Sequence, residues 1–302
     1  MNMSTHQTKL TAAVISLGSI SSKWTAEAMR SYFDEVDELP LKKIEVVIGE
    51  KSKSKIICDG VPLKKYDCIY AKGSFRYSAL LEVLAITLSK DTYMPYNPHA
   101  LTLVHDKMLS QITFENEGIP MPKTHIAATM QKAKELLEHM EYPLIIKIPQ
   151  GTQGKGVMFL ESYATASSIL DSFESLKHPF IIQEYIETKS TDLRVFVVGD
   201  KVVASMRRIG KLDEKRANLH AGGVGEKVEI DTHTKNIAIK AAKAVGAEIA
   251  GIDILESKRG PLVIEANISP GLQGITRVTE VNVADEIAKY LYHKTIEYKK
   301  QK

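Results

Sequence analysis

Short apolar runs alternate with stretches of helical spacing in the first third of the chain. The predicted strands are Ala12 to Leu17, Ile44 to Ile48 and Asp67 to Tyr70. Leu80, Leu81, Leu84 and Leu88 recur at helical spacing and predict a helix from Tyr77 to Ser89. A hairpin is predicted at Cys58-Asp59-Gly60, between the last two strands. Because strands that alternate with helices form parallel sheets, residues 1–98 are predicted to be a doubly wound α/β domain.

Turn-forming residues at Tyr96-Asn97-Pro98-His99 mark a boundary, after which the alternation continues. A helix from His105 to Glu117 is predicted to end at Gly118, since prolines follow it. The next predicted elements are a strand at Thr124 to Ala127, a helix at Met130 to Met140 and a strand at Pro143 to Ile148. At least four strand-like and two helical runs lie between Phe180 and Ala288. We expect a central subdomain of residues 99–183 and a C-terminal subdomain of residues 184–302.

Composition narrows the class of protein. The chain has 302 residues, of which 44% are hydrophobic and 25% are charged, close to the average for globular proteins. The net charge of +3 is too small to indicate nucleic-acid binding, which usually needs a concentrated basic face. The two cysteines have no metal or disulfide spacing, and no apolar run approaches the roughly 18 residues of a membrane helix. We expect a cytoplasmic protein that binds neither nucleic acid nor membrane.

A glycine-rich loop is the first segment with candidate chemistry. Gly151, Gly154 and Gly156 fall between two apolar runs, which predicts a hairpin loop whose backbone amides can approach phosphate. The spacing GxxxxGK[ST] is absent, so the loop is not a P-loop, and an ordinary hairpin turn is the alternative. Lys147, in the middle of the preceding apolar strand, needs a counter-charge that phosphate oxygens would supply. Lys107 is a candidate for the same role or an ordinary surface lysine.

Polar residues at strand ends give weaker signals. The segment Gln183-Glu184-Tyr185-Ile186 suits a linker whose backbone binds an adenine edge, although an ordinary strand end fits equally. Asp192 and Arg194 are two residues apart and therefore share a strand face, either in a site or as a structural ion pair.

Two arginine-containing segments suit the capture of phosphate or carboxylate, because the guanidinium fork binds either group with two hydrogen bonds. The first is Met206-Arg207-Arg208 at the end of a strand, and the second is Arg216-Ala217-Asn218 before a glycine pair. A solvated charge run fits residues 211–215 but not Asn218 and the glycines, which prescribe backbone shape.

A strand hairpin carries three oxygen donors in apolar surroundings. Asp253 interrupts one apolar run, and Glu265 and Asn267 lie two residues apart in the next. If the two runs pair across the turn between them, the three side chains converge. Buried carboxylates repel each other unless a cation neutralises them, and hard oxygen ligands favour Mg²⁺. A pair of surface carboxylates on an exposed edge is the alternative.

The ordered set of these motifs resembles the RimK-type ATP-grasp ligases. The resemblance runs from about Asn97 to Gly274 and covers the lysine strand, GTQGKGV, QEYI, the DLR strand, MRR, RANLHAGG, GIDIL and EANISPGLQGI. It implies an ATP-grasp fold preceded by an N-terminal α/β domain. Residues 1–95 carry no assigned motif.

The resemblance implies a role for each motif. Lys107, Lys147 and the loop with Gly151, Gln153, Gly154 and Gly156 would hold nucleotide phosphates. Gln183, Glu184, Tyr185 and Ile186 would bind adenine, Asp192 the ribose region, and Arg216, Ala217 and Asn218 the phosphates. Asp253, Glu265 and Asn267 would bind two Mg²⁺ ions, or Mn²⁺ in their place. Arg194, Arg207 or Arg208 would stabilise the transferring phosphoryl group or the oxyanion.

In this family ATP phosphorylates a carboxylate to an acyl phosphate, which an amine then attacks. The NLHAGG and SPGLQGI segments look like those of α-L-glutamate ligases, which act on a ribosomal protein, a pterin or deazaflavin coenzyme, or an amino-group carrier protein. The resemblance thus implies L-glutamate, a carboxylate-bearing acceptor and a homo-oligomer. A dipeptide-type ligase with another small-molecule acceptor and a non-catalytic ATP-binding regulatory module are the alternatives.

Overall fold

The computed structural model describes residues 9–49, 54–149, 156–176, 179–210 and 224–302. In these ranges the α-helices are α1 (Ile20–Met29), α2 (Ser78–Leu88), α3 (Ala100–Leu103), α4 (Lys107–Asn116), α5 (Met130–Glu138), α6 (Tyr163–Leu176), α7 (Thr232–Ala244), α8 (Gln273–Thr279) and α9 (Val283–Lys300). The strands are β1 (Thr11–Ser16), β2 (Glu35–Pro40), β3 (Ile44–Val47), β4 (Lys55–Cys58), β5 (Val61–Pro62), β6 (Cys68–Ala71), β7 (Thr124–His125), β8 (Leu144–Lys147), β9 (Val157–Leu160), β10 (Ile181–Glu184), β11 (Thr191–Val198), β12 (Lys201–Ile209), β13 (Val224–Lys227), β14 (Ile249–Ser257) and β15 (Gly260–Asn267).

The N-terminal part contains the predicted parallel sheet, in the order β2-β1-β6. The central strand β1 is buried from Ala12 to Ile15, as expected for a parallel strand covered on both faces. Ser19 caps α1, since its side chain accepts a hydrogen bond from the backbone N–H of Ser22. The carboxyl ends of β1 and β6 therefore lie side by side, next to the start of α1.

One strand of the predicted parallel sheet was assigned incorrectly. The run beginning at Ile44 is a strand, β3, but it pairs antiparallel with β4 in a separate sheet of order β3-β4-β5. Its place beside β1 is taken by β2, whose sequence Glu35-Val36-Asp37-Glu38-Leu39-Pro40 lacks an apolar run. An edge strand needs few apolar residues, because one long side faces solvent. The hairpin predicted at Cys58-Asp59-Gly60 is confirmed by the pairing of β4 with β5.

Two antiparallel sheets form the rest of the described structure. The four-stranded sheet β7-β10-β8-β9 packs with α5 and α6 around its own core, which includes Ile146 and Ile182. The five-stranded sheet β13-β12-β11-β14-β15 shares a larger core with the N-terminal sheet. Helix α9 packs against α1, and the Ser21 hydroxyl oxygen accepts a hydrogen bond from the N–H of Leu272 at 2.9 Å. The N-terminal sheet is thus fixed to the five-stranded sheet.

Among the described residues, none of the helices has the length and apolar character needed to cross a bilayer.

Two glycines test how tightly α9 is packed on the five-stranded sheet. Gly199, in the turn between β11 and β12, has φ +60°, and a Cβ there would lie 2.3 Å from the ring of Tyr290. The hydroxyl of Tyr290 donates to Glu248 at 2.8 Å, so the ring is anchored. Gly118 also has φ +60°, but no heavy atom lies within 4 Å of its Cβ position.

Both alanine substitutions carry the cost of the left-handed backbone, about 1 kcal/mol. We expect Gly199→Ala to lower the free energy of unfolding by about 1–3 kcal/mol more than Gly118→Ala, because only Gly199→Ala overpacks the core. Urea denaturation of the two variants measures this difference. Equal losses would show that Tyr290 moves aside without cost.

Candidate active site

One face of the five-stranded sheet carries a row of charged side chains. Asp192 and Arg194 share this face of β11, because side chains alternate along a strand. Arg208 on β12 lies opposite Asp192, and Asp253 on β14 lies opposite Arg194. Glu265 on β15 lies opposite Asp253. The strand pairing thus brings five candidate residues into one row.

Bidentate ion pairs link four members of the row. Arg208 donates to both carboxylate oxygens of Asp192, each at 2.6 Å. Arg194 donates to both oxygens of Asp253, and its Nη2 lies 2.9 Å from Oδ2. Nη2 of Arg208 also reaches Oδ2 of Asp253 at 2.8 Å. The pair that the sequence suggested as an alternative, Asp192 with Arg194, is replaced by these partners across the strands.

Burial and ion pairing have opposite effects on the pKa values of Asp192 and Asp253. Burial raises the pKa of Asp192 to about 6, although Arg208 acts in the opposite direction. Burial also disfavours ionised Asp253, but Arg194 and Arg208 outweigh it and lower the pKa of that carboxyl. We therefore assign Asp253 as the carboxylate that stays charged through the neutral pH range.

A β-bulge decides which side chains meet in the hairpin of β14 and β15. Ile254 pairs with Val263, whereas Asp253 pairs with Glu265, so Ile264 is the extra residue. In a regular hairpin without the bulge, Asp253 would pair with Ile264, and Glu265 would point to the opposite face. Edge strands are common positions for bulges, and β15 is an edge strand of its sheet.

Glu265 is the least compensated carboxylate of the row. Among the described residues, none donates a hydrogen bond to its side chain. Burial raises the pKa of Glu265, and the negative charge of Asp253 raises it further. The positive charges of Lys107, Arg194 and Lys147 lower it in part. The site therefore has an excess of negative charge at Glu265 that a cation would neutralise.

The two predicted site lysines lie on different elements, α4 and β8. Nζ of Lys147, on β8, donates to the side-chain oxygen of Gln183 at 2.5 Å. Burial lowers the pKa of Lys147 to about 8, with a smaller contribution in the same direction from Lys107 and an opposite one from Glu265. Lys107 begins α4, and its Nζ lies 3.3 Å from the carbonyl oxygen of Pro149. The charges of both lysines thus act on Glu265, although one lysine lies on a helix and the other on a strand.

The side chain of Gln183 is held from both ends by protein groups. Its amide nitrogen donates to the hydroxyl of Thr124 at 2.7 Å and to Oε1 of Gln111 at 3.4 Å. Gln111 in turn reaches the carbonyl oxygen of Ile264, the bulge residue, at 3.5 Å. This amide network connects Lys147 to the strand that carries Glu265. The side chain of Gln183 thus has protein partners, whereas the sequence predicted that this residue contacts adenine.

Sequence reasoning did not select Gln111 and Thr124. Gln111 is 4% exposed and lies on a helix that packs on β15. The sequence signal for Gln111 was its amide at a core-facing position of an amphipathic helix. A buried amide needs hydrogen-bond partners, so this position could have been selected.

The remaining adenine candidates lie where β10 ends. The Glu184 carboxylate accepts a hydrogen bond from the N–H of Lys123 at 2.7 Å and pairs with Arg259. The ring of Tyr185 packs edge-on against Phe159, with ring centroids 4.9 Å apart. Ile186 is half-buried. The backbone of this segment therefore runs between the two antiparallel sheets.

The predicted glycine loop joins β8 to β9, which pair antiparallel as expected for a hairpin. Gly156 closes it with φ +80°, and its carbonyl accepts a hydrogen bond from Ile148 at 2.9 Å. Six site predictions lie outside the described residues: Gly151, Gln153, Gly154, Arg216, Ala217 and Asn218.

Arg207 is the one described arginine candidate that the fold keeps away from the row. It neighbours Arg208 in β12, so its side chain lies on the opposite face of the sheet. There it forms a bidentate pair with Glu256, with both distances 2.9 Å.

A divalent cation fits the described oxygen donors. Three of about four lone-pair positions of Asp253 are used by arginines, and both oxygens of Glu265 are available. Asn267 lies two residues beyond Glu265 on the same face, and its Oδ1 accepts one hydrogen bond, from the N–H of Ser269 at 2.9 Å. Carboxylate and amide oxygens are the ligand types that Mg²⁺ prefers.

The geometry predicts unequal stability losses for Asp253, in the row, and for Glu256, on the opposite face of the sheet. Asp253→Ala should lower the free energy of unfolding by about 3–5 kcal/mol, because it leaves buried Arg194 without its partner. Glu256→Ala breaks an exposed bidentate pair and should cost at most about 1 kcal/mol. Urea denaturation at pH 7 compares the two variants, and equal losses would contradict the buried ion-pair network.

Glu265→Gln should raise the melting temperature at pH 7. The substitution removes a charge that burial and Asp253 both disfavour, and it breaks no hydrogen bond of a described residue. Thermal denaturation in the presence of a metal chelator measures this effect. A lower melting temperature would show that the carboxylate stabilises the fold.

Comparison with known proteins identifies the family and the fold. Residues 104–291 match the RimK-like ATP-grasp domain family. A protein of Legionella pneumophila (strain Corby), named probable alpha-L-glutamate ligase, is 38% identical over 240 residues, which cover 78% of this chain and 79% of the relative.

Solved structures share the fold. The ATP-grasp ligase PsnB in complex with a minimal precursor aligns with a TM-score of 0.74 at 19% identity, over 94% of this chain and 99% of PsnB. The RimK domain ATP-grasp protein of Sphaerobacter thermophilus aligns with a TM-score of 0.71 at 17% identity, over 93% of this chain and 98% of that protein. These findings confirm the ATP-grasp fold. The chain belongs to the RimK-like ATP-grasp family, whose members are ATP-dependent carboxylate–amine ligases.

Proposed function

We propose that this protein is an α-L-glutamate ligase that uses Mg²⁺ and ATP to join L-glutamate to a carboxylate-bearing acceptor. The observation that carries the proposal is that the positive charges of Lys107 and Lys147 act on the buried carboxylate of Glu265, which accepts no hydrogen bond from a described residue. The specificity for glutamate is supported by the name of the Legionella relative, which is similar over 78% of this chain.

The lysines are assigned to the nucleotide phosphates. A buried ammonium group beside a second lysine is costly, and phosphate oxygens would supply the missing negative charge. The loop of residues 150–155 lies outside the described residues, and its assignment to the same phosphates rests on the sequence resemblance. The assignment of Glu184, Tyr185 and Ile186 to the adenine rests on their position between the two sheets that flank the phosphates.

Asp253, Glu265 and Asn267 are assigned to hold Mg²⁺. The PsnB structures include a complex with Mg and ADP, at 19% identity to this chain. When bound, the ion would neutralise charge on the phosphate oxygens and on Glu265. Asn267 would contribute a neutral oxygen and thereby keep the donor set from accumulating a third negative charge.

The chemistry needs no nucleophilic side chain. A carboxylate oxygen of the acceptor attacks the γ-phosphorus of ATP, the bond to the β–γ bridging oxygen breaks, and ADP leaves. The amino nitrogen of L-glutamate then attacks the acyl carbon, loses a proton, and phosphate leaves as the amide forms. The protein acts by positioning the reactants and by offsetting charge.

Arg194 and Arg208 are assigned to this charge compensation. Both guanidinium groups are fixed by Asp253 before any substrate binds, so they need no reorganisation during the reaction. The bidentate pairing of Asp192 with Arg208 suggests that Asp192 holds this arginine, in addition to the predicted ribose contact.

The proposed function predicts ADP release that depends on L-glutamate. With Mg²⁺, ATP and N-acetyl-triglutamate as a model acceptor, wild-type protein should release ADP when L-glutamate is added and not when D-glutamate is added. A coupled enzyme assay measures ADP, and mass spectrometry identifies the amide product.

Glu265→Gln is the control, with turnover expected to fall by at least about 10²-fold. ADP release with another amino acid and not with glutamate would replace the proposal by a dipeptide-type ligase. Tight ATP binding without a product for any pair of substrates would favour a non-catalytic ATP-binding module.

A pH profile tests the assignment of Lys147. Because the pKa of Lys147 is lowered to about 8, the ammonium form is lost above this pH in the free enzyme. We expect kcat/KM for ATP to fall above pH 8 when L-glutamate and acceptor are saturating. In Lys147→Arg the charge persists, so the fall should move to higher pH. An unchanged profile in this variant would assign the ionisation to another group.

A further inference from the structure

A second buried lysine lies away from the ion-pair row. Lys72 follows β6 directly and is 4% exposed. Its Nζ lies 3.5 Å from the carbonyl oxygen of Pro270, the outer limit of a hydrogen bond, and 5.4 Å from the centre of the Tyr70 ring. Among the described residues, no carboxylate oxygen lies within 4.0 Å of this ammonium group. Lys72 is thus a buried cation without a counter-ion in the described structure.

A second polar group on the same strand face also lacks a partner. The hydroxyl of Tyr70 is buried and forms no hydrogen bond with any described residue. Tyr70 and Lys72 are two residues apart, so their side chains leave the strand on the same side. Buried polar groups in native proteins usually have partners, and an unpaired hydroxyl beside a buried lysine without a counter-ion indicates a missing polar ligand.

The position of Lys72 relates it to the proposed magnesium ligands. The N–H of Gly73 donates to the hydroxyl of Ser269 at 3.3 Å, and the N–H of Ser269 donates to Asn267 at 2.9 Å. Ser269 therefore links the backbone of Gly73, the residue after Lys72, to Asn267, a proposed ligand of Mg²⁺. A group bound at Lys72 lies next to the place where the phosphates are assigned.

The surroundings of Lys72 favour an anion. The N–H of Lys72 donates to the carbonyl of Ile15 at 2.8 Å, which places Lys72 beside the end of β1 and the loop that leads into α1. The start of α1 adds partial positive charge to this edge. Cβ atoms built on Gly18 and Gly271, in the two adjoining loops, meet no heavy atom within 4 Å.

We propose that the ammonium group of Lys72 binds a carboxylate group of a substrate at the carboxyl edge of the N-terminal sheet. The assignment rests on the proposed function, because a carboxylate–amine ligase brings carboxylate groups to this edge of the ATP site. Two sources are possible in chemical terms: the acceptor that is phosphorylated and the α- or side-chain carboxylate of L-glutamate. Both are carboxylates, which a buried ammonium group recognises by charge and hydrogen bonding.

Equilibrium binding tests the proposal without requiring turnover. Isothermal titration calorimetry of full-length protein with Mg²⁺ and a non-hydrolysable ATP analogue is carried out with two probes. L-Glutamate reports the amine substrate, and N-acetyl-triglutamate, whose amine is blocked, reports the acceptor. In Lys72→Met we expect the affinity for one probe to fall at least tenfold, and that probe identifies the source of the carboxylate.

The melting temperatures of the variants distinguish a role of Lys72 in ligand binding from a role in stabilising the fold. Lys72→Met removes a buried cation without a counter-ion, so its melting temperature should equal or exceed that of the wild type. Lys72→Arg should retain part of the affinity, and Lys23→Met, at an exposed lysine on α1, should leave binding unchanged. The ATP-analogue affinity should be the same in all variants.

The outcomes distinguish failure of this proposal from failure of the proposed function. Wild-type affinity for both probes in Lys72→Met, or no binding of either probe to the wild type, would overturn the carboxylate site. A markedly lower melting temperature in Lys72→Met with an equal loss of ATP-analogue affinity would also overturn it, in favour of a structural lysine. Probe binding that depends on Lys72 but yields no amide product would retain the site and overturn the ligase.

Discussion

Burial of several charges on one face of the five-stranded sheet is the constraint on which the candidate site depends. Asp192, Arg208, Asp253 and Arg194 offset one another through bidentate pairs, so the fold can hold their side chains at 8–16% exposure. Glu265 joins the same row without a hydrogen bond from a described residue. The network thus fixes the arginines before substrate binds and leaves one carboxylate in need of a cation.

The bulge at Ile264 decides which residue of β15 lies beside Asp253 in the row. A regular hairpin would turn Glu265 away from Asp253 and would place Ile264 beside Asp253 instead. Gln111 contacts the carbonyl of the bulge residue and also the amide that holds Lys147. The same few polar contacts therefore connect the strand of the proposed metal ligands with the strand of the proposed phosphate-binding lysine, although these belong to sheets with separate cores.

The N-terminal sheet contributes a different kind of group. Residues 1–95 carry no recognisable motif, but the parallel arrangement of β1 and β6 brings Lys72 to the loop that follows Asn267. A lysine that is buried without a counter-ion destabilises the fold on its own. Such a residue is explained most simply by a ligand that supplies the charge, as Glu265 is explained by a cation.

The sequence by itself determined the family, the order of most elements and the residue types of the site. Apolar spacing located strands such as β8 and β14, and the isolated polar residues Lys147 and Asp253 within them marked the candidate chemistry. These signals are local, since they depend only on which side chains interrupt an apolar run.

Tertiary structure alone decided that Arg208 pairs with Asp192, that Gln183 holds Lys147, and that Arg207 faces away from the row. It also placed the acidic β2 in the parallel sheet and aligned Glu265 with Asp253 through one extra residue. Pairing, register and bulges arise from contacts between distant segments, and a local pattern carries no information about them.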